Sequence, residues 1–382
     1  MINVLVVDDS VVVRRLIVDA LGGASNIKVV GTAANGLLAQ AKIDQLKPDV
    51  ITMDIEMPQM DGIAAVRELR KRHPKTPVIM FSTLSAAGAS ATLEALSAGA
   101  TDYVTKPSNV GSVAESIAAV REQLVPKIIA LAGPARPAGA PTRLGPGPTR
   151  PGAAPPRPSL QGPGPAGRGP GGPAAPSIRR GPQGRVDIVA IGSSTGGPDA
   201  LTKVLAALPA DLPVPIVITQ HMPPVFTRMF AERLDRTVPM TVVEAADGMA
   251  ITPGTVYIAP GDKHLLLSRR GTATVAQLGG GPPENSCRPA VDVMFRSVAQ
   301  LYGGAAFVAV LTGMGQDGRG GAKVLRDAGA EVLAQDEASS VVWGMPGAVV
   351  TAGLADEVQP LDKIAGSLMA RVKLGRSAAV AR

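Results

Sequence analysis

The stretch 188–201, IVAIGSSTGGPDAL, sets one serine, Ser194, in a glycine-flanked turn between an apolar run and a helical pattern. A serine hydroxyl becomes a useful nucleophile only when a nearby base takes its proton. The match of GSSTG to G-x-S-x-G is weak by itself, because Gly/Ser-rich turns after strands are common. Position adds to it. Ala200, Leu201, Val204, Leu205 and Leu208 form a helical stripe, and Pro198 suits a first helical turn. Ser194 is thus expected beside a helix N-terminus, which favours developing negative charge.

The chain has three histidines to offer as base. His73 ends a charged helical stretch, RKRH, and reads as solvated. His264 opens HLLLS after APGDK, where a structural role fits better. His221 follows the apolar run PIVITQ and precedes PPVFTRMFAERL, so it lies at the same end of the sheet as Ser194, although capping or packing remains open for it. Asp317, in TGMGQDGRGGAKVL, also follows an apolar run before a helix. It could orient His221 and stabilise its charged form, or merely cap that helix. Three strand-end residues in the order Ser, His, Asp favour the catalytic reading, with His221 as base. Cys287, in NSCRPAVD, has no evident base and is expected to be inert.

A second constellation lies near the N-terminus. Asp8 and Asp9 follow the first apolar run, Asp54 ends the third, Ser82 the fourth, and Lys106 follows the fifth. Ligands of open parallel sheets gather beyond the strands' carboxyl ends, so all five should meet. Three carboxylates together call for a cation, and hard oxygen ligands suit Mg²⁺. With Lys106 and a hydroxyl alongside, Asp54 is a candidate phosphoryl acceptor. Taken singly, Asp8 and Asp9 could equally cap the helix starting near Val11.

These groups need elements to hold them. Residues 1–125 alternate short β-branched runs (VLVV, KVVGTA, VITMD, PVIMFS, DYVT) with helical periodicity, as in GIAAVRELRKR. This is a five-unit βα pattern, predicting a flavodoxin-like α/β fold with a parallel sheet covered on both faces. Residues 185–375 repeat the logic through VDIVAIG, PIVITQ, VYIAP, HLLLS, AFVAVLT and EVLAQ, predicting a second doubly wound α/β domain. Between them, 126–184 is rich in Pro, Gly, Ala and Arg and is expected to be a disordered linker spanning about 40 Å or more. It carries eight basic side chains and no acidic one, so the formal charge of +7 belongs to it. With no aromatic residue there to stack on bases, no nucleic-acid partner is expected. A single cysteine and the absence of Cys/His ligand spacing argue against disulfides and structural zinc. MINVLVVDDS is neither a signal peptide nor a membrane span, and a cytoplasmic location without membrane insertion is expected.

The motifs VDDS (7–10), MDIEMPQMDG (53–62), FST (81–83) and YVTKP (103–107) make residues 1–122 resemble the receiver domain of two-component response regulators. The resemblance implies that Asp54 is phosphorylated, that Asp8 and Asp9 hold Mg²⁺, and that Ser82 and Tyr103 couple phosphorylation to shape. IGSSTGG, QHMPP, FTRMFAERL, YIAPGD, RPAVDVMF and LTGMGQDG likewise resemble the CheB family of chemotaxis protein-glutamate methylesterases. That likeness implies hydrolysis of glutamate γ-methyl esters on chemoreceptor cytoplasmic helices, with methanol released and receptor glutamines also deamidated. It further implies a histidine kinase as phosphodonor and no cofactor in the esterase domain. Carried onto this chain, Ser194 attacks, His221 shuttles the proton, Asp317 orients it, and Met314 offers its backbone N–H to the oxyanion. Thr195 either adds a hydrogen bond near the nucleophile or caps a helix. The expected regulation is occlusion of Ser194 by the unphosphorylated receiver. A phosphorylation-controlled docking protein without catalysis is the alternative.

Overall fold

The computed structural model describes residues 1–107, 112–132 and 184–380. Among these, β1 (Ile2–Val7), β2 (Ile27–Ala33), β3 (Val50–Asp54), β4 (Val78–Ser82) and β5 (Asp102–Thr105) alternate with α1 (Val11–Gly22), α2 (Gly36–Leu46), α3 (Gly62–Arg72), α4 (Ala86–Ser97) and α5 (Val113–Ala132). The strands pair in parallel in the order β2-β1-β3-β4-β5. β3 and β4 are buried at every residue, as strands with helices on both faces must be. The chain reverses its direction of winding between β1 and β3, which opens a crevice at their carboxyl ends.

The second unit contains β6 (Ile188–Ser193), α6 (Gly197–Ala206), β7 (Ile216–Gln220), α7 (Phe226–Thr237), β8 (Thr241–Glu244), β9 (Thr255–Ile258), β10 (His264–Arg270), β11 (Ala273–Gly279), α8 (Val291–Tyr302), β12 (Ala306–Val310), α9 (Arg319–Asp327), β13 (Glu331–Gln335), α10 (Met345–Thr351), β14 (Glu357–Gln359) and α11 (Leu361–Val380). Its parallel sheet runs β14-β13-β12-β6-β7-β9-β8. The first strand in sequence, β6, therefore lies between β7 and β12, at the switch point of the winding.

All six strands expected in this unit are present, but HLLLS is not in the main sheet. It forms β10 of a separate antiparallel hairpin with β11. β8, β11 and β14 escaped the sequence reading; β8 and β14 are short edge strands in which only Val242 is buried. Residues 126–132, expected to open the linker, belong instead to α5, which runs through Pro126 to Ala132. Proline inside a helix costs about 3 kcal/mol, but Leu124 and Ile128 on either side are fully buried against the first sheet. The rest of that expected linker, 133–183, lies outside the described residues.

The two units pack together through α4 and β5 of the first and α6 and α7 of the second. One continuous apolar cluster includes Leu93, Leu96 and Tyr103 from one side and Phe226, Phe230 and Leu234 from the other. The Tyr103 and Phe226 rings stack at 4.8 Å with planes 6° apart, and Arg233 Nη2 donates to Ser97 Oγ at 2.6 Å.

Candidate active site

β6 is apolar and buried along its length, and it ends at the turn holding Ser194. Gly196, with φ of +77°, lets the chain pass from strand to helix within three residues; a Cβ there would also meet Val341 at 2.6 Å. The backbone of Ser194 is clamped on both sides: its N–H donates to Thr312 O at 3.0 Å, and its carbonyl accepts from Gly197 N and Gln220 Nε2. Ser193 Oγ donates to Gln220 Oε1 at 2.7 Å, tying β6 to β7. Gly313 passes so close that a Cβ there would lie 2.9 Å from that of Ser194. The serine hydroxyl itself has no hydrogen-bond partner among the described residues.

His221 ends the neighbouring strand β7, its N–H donating to Ser193 O at 3.2 Å. Asp317 lies in the loop after β12, on the other side of β6. The histidine Nε2 and Asp317 Oδ2 are 2.8 Å apart. Asp317 does not cap the helix that follows it. It accepts instead from Val291 N at 2.7 Å and Asp292 N at 3.0 Å, capping α8, and from Asn285 Nδ2 at 3.0 Å and Gly318 N at 2.9 Å. Burial pushes the Asp317 carboxyl up, but the His221 contact and these N–H donors outweigh it and hold the group below its ordinary value. Burial likewise pulls the His221 imidazolium down, while the contacts with Asp317 and Cys287 push it further the other way, to about 9. A carboxylate that accepts at Nε2 assigns the proton there. Nδ1 is then the nitrogen that carries the lone pair of the neutral ring and can act as a base.

Cys287 overturns the expectation of a thiol without a positioned base: its Sγ lies 3.5 Å from His221 Nδ1. It is held by a two-residue turn in which Glu284 and Cys287 exchange backbone hydrogen bonds and Asn285 and Ser286 take φ of 52° and 62°. Asn285 was also missed. Its amide bridges Asp292 Oδ2 and Asp317 Oδ1, both at 3.0 Å, and the motif RPAVDVMF was the available signal for Asp292.

Met314 follows Gly313, and its backbone N–H donates to no described residue. Thr195 does not cap α6, whose cap position is Gly196 without a side-chain bond. Its hydroxyl donates to Asp102 Oδ2 at 2.7 Å, across to the other unit. The same carboxylate oxygen accepts from Lys127 Nζ at 2.6 Å. The other two histidines stand apart from this site. His264 is buried between Pro282 O and Ala290 N, and His73 is paired with Asp44 at 2.8 Å rather than simply solvated.

At the carboxyl end of the first sheet, ligand oxygens of Asp8, Asp9 and Asp54 lie within 4.8 Å of one another. Asp8 and Asp54 are buried and Asp9 is exposed. The two aspartates do not cap α1; Ser10 does, through Val13 N. Lys106 Nζ reaches Asp54 Oδ1 at 2.8 Å and Asp8 Oδ2 at 3.5 Å. Burial and the Asp54 charge raise Asp8 to about 6, and burial raises Asp54 as well. Asp8 Oδ2 is buried without a hydrogen-bond partner. A buried carboxylate oxygen that makes only a 3.5 Å ion pair and no hydrogen bond, beside two further carboxylates, is a donor set that fits Mg²⁺. A small pocket beside Asp54 is lined by Ser82, Thr83 and Lys106. The Ser82 hydroxyl is turned into a buried network with Thr92 Oγ1 at 2.6 Å and Gly88 O at 3.1 Å. Tyr103 points away into the interface, where burial raises its phenol well above the ordinary value.

Comparison with known proteins gives two family matches: the response regulator receiver domain over residues 4–118 and the CheB methylesterase over residues 189–368. Among curated relatives, a protein-glutamate methylesterase/protein-glutamine glutaminase of Nocardioides sp. is 50% identical over 99% of this chain and 98% of its own length. One of Trichodesmium erythraeum is 46% identical over 97% of this chain and 99% of its own. Among solved structures, the Thermotoga maritima CheB methylesterase catalytic domain is 44% identical, with a TM-score of 0.48, covering 50% of this chain and 98% of that one. The response regulator domain of Thermotoga maritima CheB is 47% identical, with a TM-score of 0.31, covering 34% of this chain and 93% of that one.

Proposed function

Because the chain belongs to the CheB family of receiver-regulated protein-glutamate methylesterase/protein-glutamine glutaminases of chemotaxis adaptation, we propose that Ser194, His221 and Asp317 are its catalytic triad. The observation that carries this reading is the placement of all three at the carboxyl ends of the adjacent strands β7, β6 and β12, with His221 and Asp317 2.8 Å apart. Ser194 Oγ attacks the γ-methyl ester carbonyl of a receptor glutamate and gives its proton to His221 Nδ1. Asp317 keeps the Nε2 proton and stabilises the imidazolium. The Met314 N–H, free of other partners, donates to the oxyanion as the carbonyl becomes tetrahedral. His221 returns the proton to the departing methoxide, methanol leaves, and a water activated the same way frees the glutamate. With a receptor glutamine, the departing group is ammonia.

The same reading makes Asp54 the phosphorylated residue and a chemotaxis histidine kinase the phosphodonor. Asp8, Asp9 and Asp54 would hold Mg²⁺, which neutralises charge on the transferring phosphoryl group. Lys106 supplies a second positive charge at Asp54, and Ser82 the hydroxyl that must swing out of the Thr92 contact to reach a phosphoryl oxygen. The unphosphorylated state is the docked one, in which Asp102 holds Thr195 next to the nucleophile and Tyr103 stacks on Phe226. Phosphorylation shifts the population away from this docking. Substrates are methylated glutamates of chemoreceptor cytoplasmic helices, which sets the work in the cytoplasm. No helix among the described residues is long and apolar enough to cross a membrane. The units 1–122 and 185–375 thus act as switch and enzyme. The test is methanol release from methyl-esterified receptor fragments, with Mg²⁺ and a small-molecule phosphodonor, by wild type and Ser194→Ala. Release stimulated by the donor and lost in the variant supports the reading; equal release by the variant overturns it.

A further inference from the structure

We infer that His221 and Cys287 form an inhibitory site for a thiophilic divalent cation, with Zn²⁺ as the fitting ion. The argument begins with the two donor atoms. Zn–S and Zn–N bonds of about 2.3 and 2.0–2.1 Å, meeting at a tetrahedral angle, put sulfur and nitrogen about 3.5 Å apart. Cys287 Sγ and His221 Nδ1 are 3.5 Å apart. Thiolate and imidazole are also the pair that distinguishes zinc from the Mg²⁺ suited to the all-oxygen cluster of the first unit.

The surroundings match what such a ligand histidine needs. A zinc-bound histidine gives its second ring N–H to a carboxylate, which fixes the tautomer and makes the ligating nitrogen more basic. Asp317 Oδ2 does this at Nε2, 2.8 Å away. Asp317 is itself fixed by four further donors, from Val291, Asp292, Gly318 and Asn285. It therefore acts as support for the ring rather than as a third ligand, although its oxygens lie within 4.8 Å of the other two donors. The thiol is held by the Asn285–Ser286 turn, whose two left-handed residues set Cys287 facing the ring. Cys287 is only partly buried, and the His221 side chain keeps 13% of its exposure, so neither donor residue is sealed from solvent.

On binding, the thiol proton and the proton carried by Nδ1 of the imidazolium leave to solvent, and two metal–ligand bonds form. No electron changes hands. The metal then occupies the nitrogen that must receive the Ser194 proton, and hydrolysis stops. Only this consequence rests on the proposed triad; the binding itself does not.

The full chain offers a clean readout because Cys287 is its one cysteine. Co²⁺ added to metal-free protein in excess Mg²⁺ should give a near-ultraviolet thiolate-to-cobalt charge-transfer band that Zn²⁺ displaces. Cys287→Ser should lack the band, Asp317→Asn, which removes only the carboxylate behind the ring, should need about 10–100 times more Co²⁺ to reach it, and His221→Ala should need more still. No band in folded wild type, or an unshifted titration in His221→Ala, overturns the site. In parallel, Zn²⁺ should suppress methanol release by wild type at concentrations that leave Cys287→Ser largely uninhibited. Equal inhibition of the two overturns the inhibitory role. If the chain hydrolyses no ester at all, the cobalt titration still decides the site by itself.

Discussion

The Thr195 hydroxyl, one residue past Ser194, donates 2.7 Å to the Asp102 carboxylate of the receiver. Asp102 is buried and also holds Lys127, so this contact links the Ser194 turn directly to β5, the strand that carries Tyr103. A hydrogen bond to a charged acceptor contributes about 1.5–3 kcal/mol. Asp102→Asn keeps the shape of the side chain and removes the charge. Without phosphodonor, Asp102→Asn should release methanol several-fold faster than wild type, and Thr195→Val should do the same. Unchanged basal rates in both would mean that the contact is incidental to docking.

Tyr103 and Phe226 should be energetically coupled. A stacked aromatic pair contributes about 0.5–1.5 kcal/mol beyond the area it buries. Tyr103→Ala and Phe226→Ala should each raise basal activity, and the double variant should exceed neither by much. Fully additive effects in this double-mutant cycle would show that the rings do not act as a unit.

The esterase should be an alkaline-favouring enzyme. As the proposed base, His221 must be neutral to accept a proton, and the Asp317 and Cys287 contacts hold its pKa up at about 9. The rate should therefore climb as pH rises through about 9, measured as kcat/KM for ester hydrolysis. Linkage has the opposite sign. A histidine whose folded pKa exceeds its unfolded value contributes stability below about 6.5, and that contribution disappears as pH rises through about 9. Asp317→Asn removes the anion that raises the ring, so the acid limb should move to lower pH while the plateau rate falls by about 10⁴-fold.

The receiver carboxylates should cost stability until a cation joins them. Asp8 titrates near 6 in the folded chain. Because this folded value lies above that of an unfolded aspartate, stability falls as pH rises between about 4 and 6. Asp8→Asn should flatten that dependence and raise the unfolding midpoint of the receiver at neutral pH. The same substitution should weaken Mg²⁺ binding and slow phosphorylation of Asp54. A midpoint that drops instead would mean that Lys106 already compensates the buried charge.

Asp54, Ser82, Lys106, Ser194, His221 and Asp317 could be picked out before any coordinates, for one shared reason. Each lies at the end of a buried apolar strand or, for Asp317, in the loop that follows one, and in a parallel α/β sheet such positions gather along one edge. Residue type and strand period therefore sufficed to group them. Contacts between distant segments were not legible in this way. Cys287 read as inert because nothing within its own segment is a base, yet a left-handed two-residue turn brings it to a histidine 66 residues away. Thr195 read as a neighbour of the nucleophile or a cap, and its partner proved to be Asp102, 93 residues away. Asp317 read as the group that orients His221, with capping of the following helix as the alternative; the N–H groups it accepts from prove to be those that open α8. Local periodicity specifies which face of an element is buried. Which polar atoms meet across packed elements depends on how those elements dock, and that was decided by the tertiary structure alone.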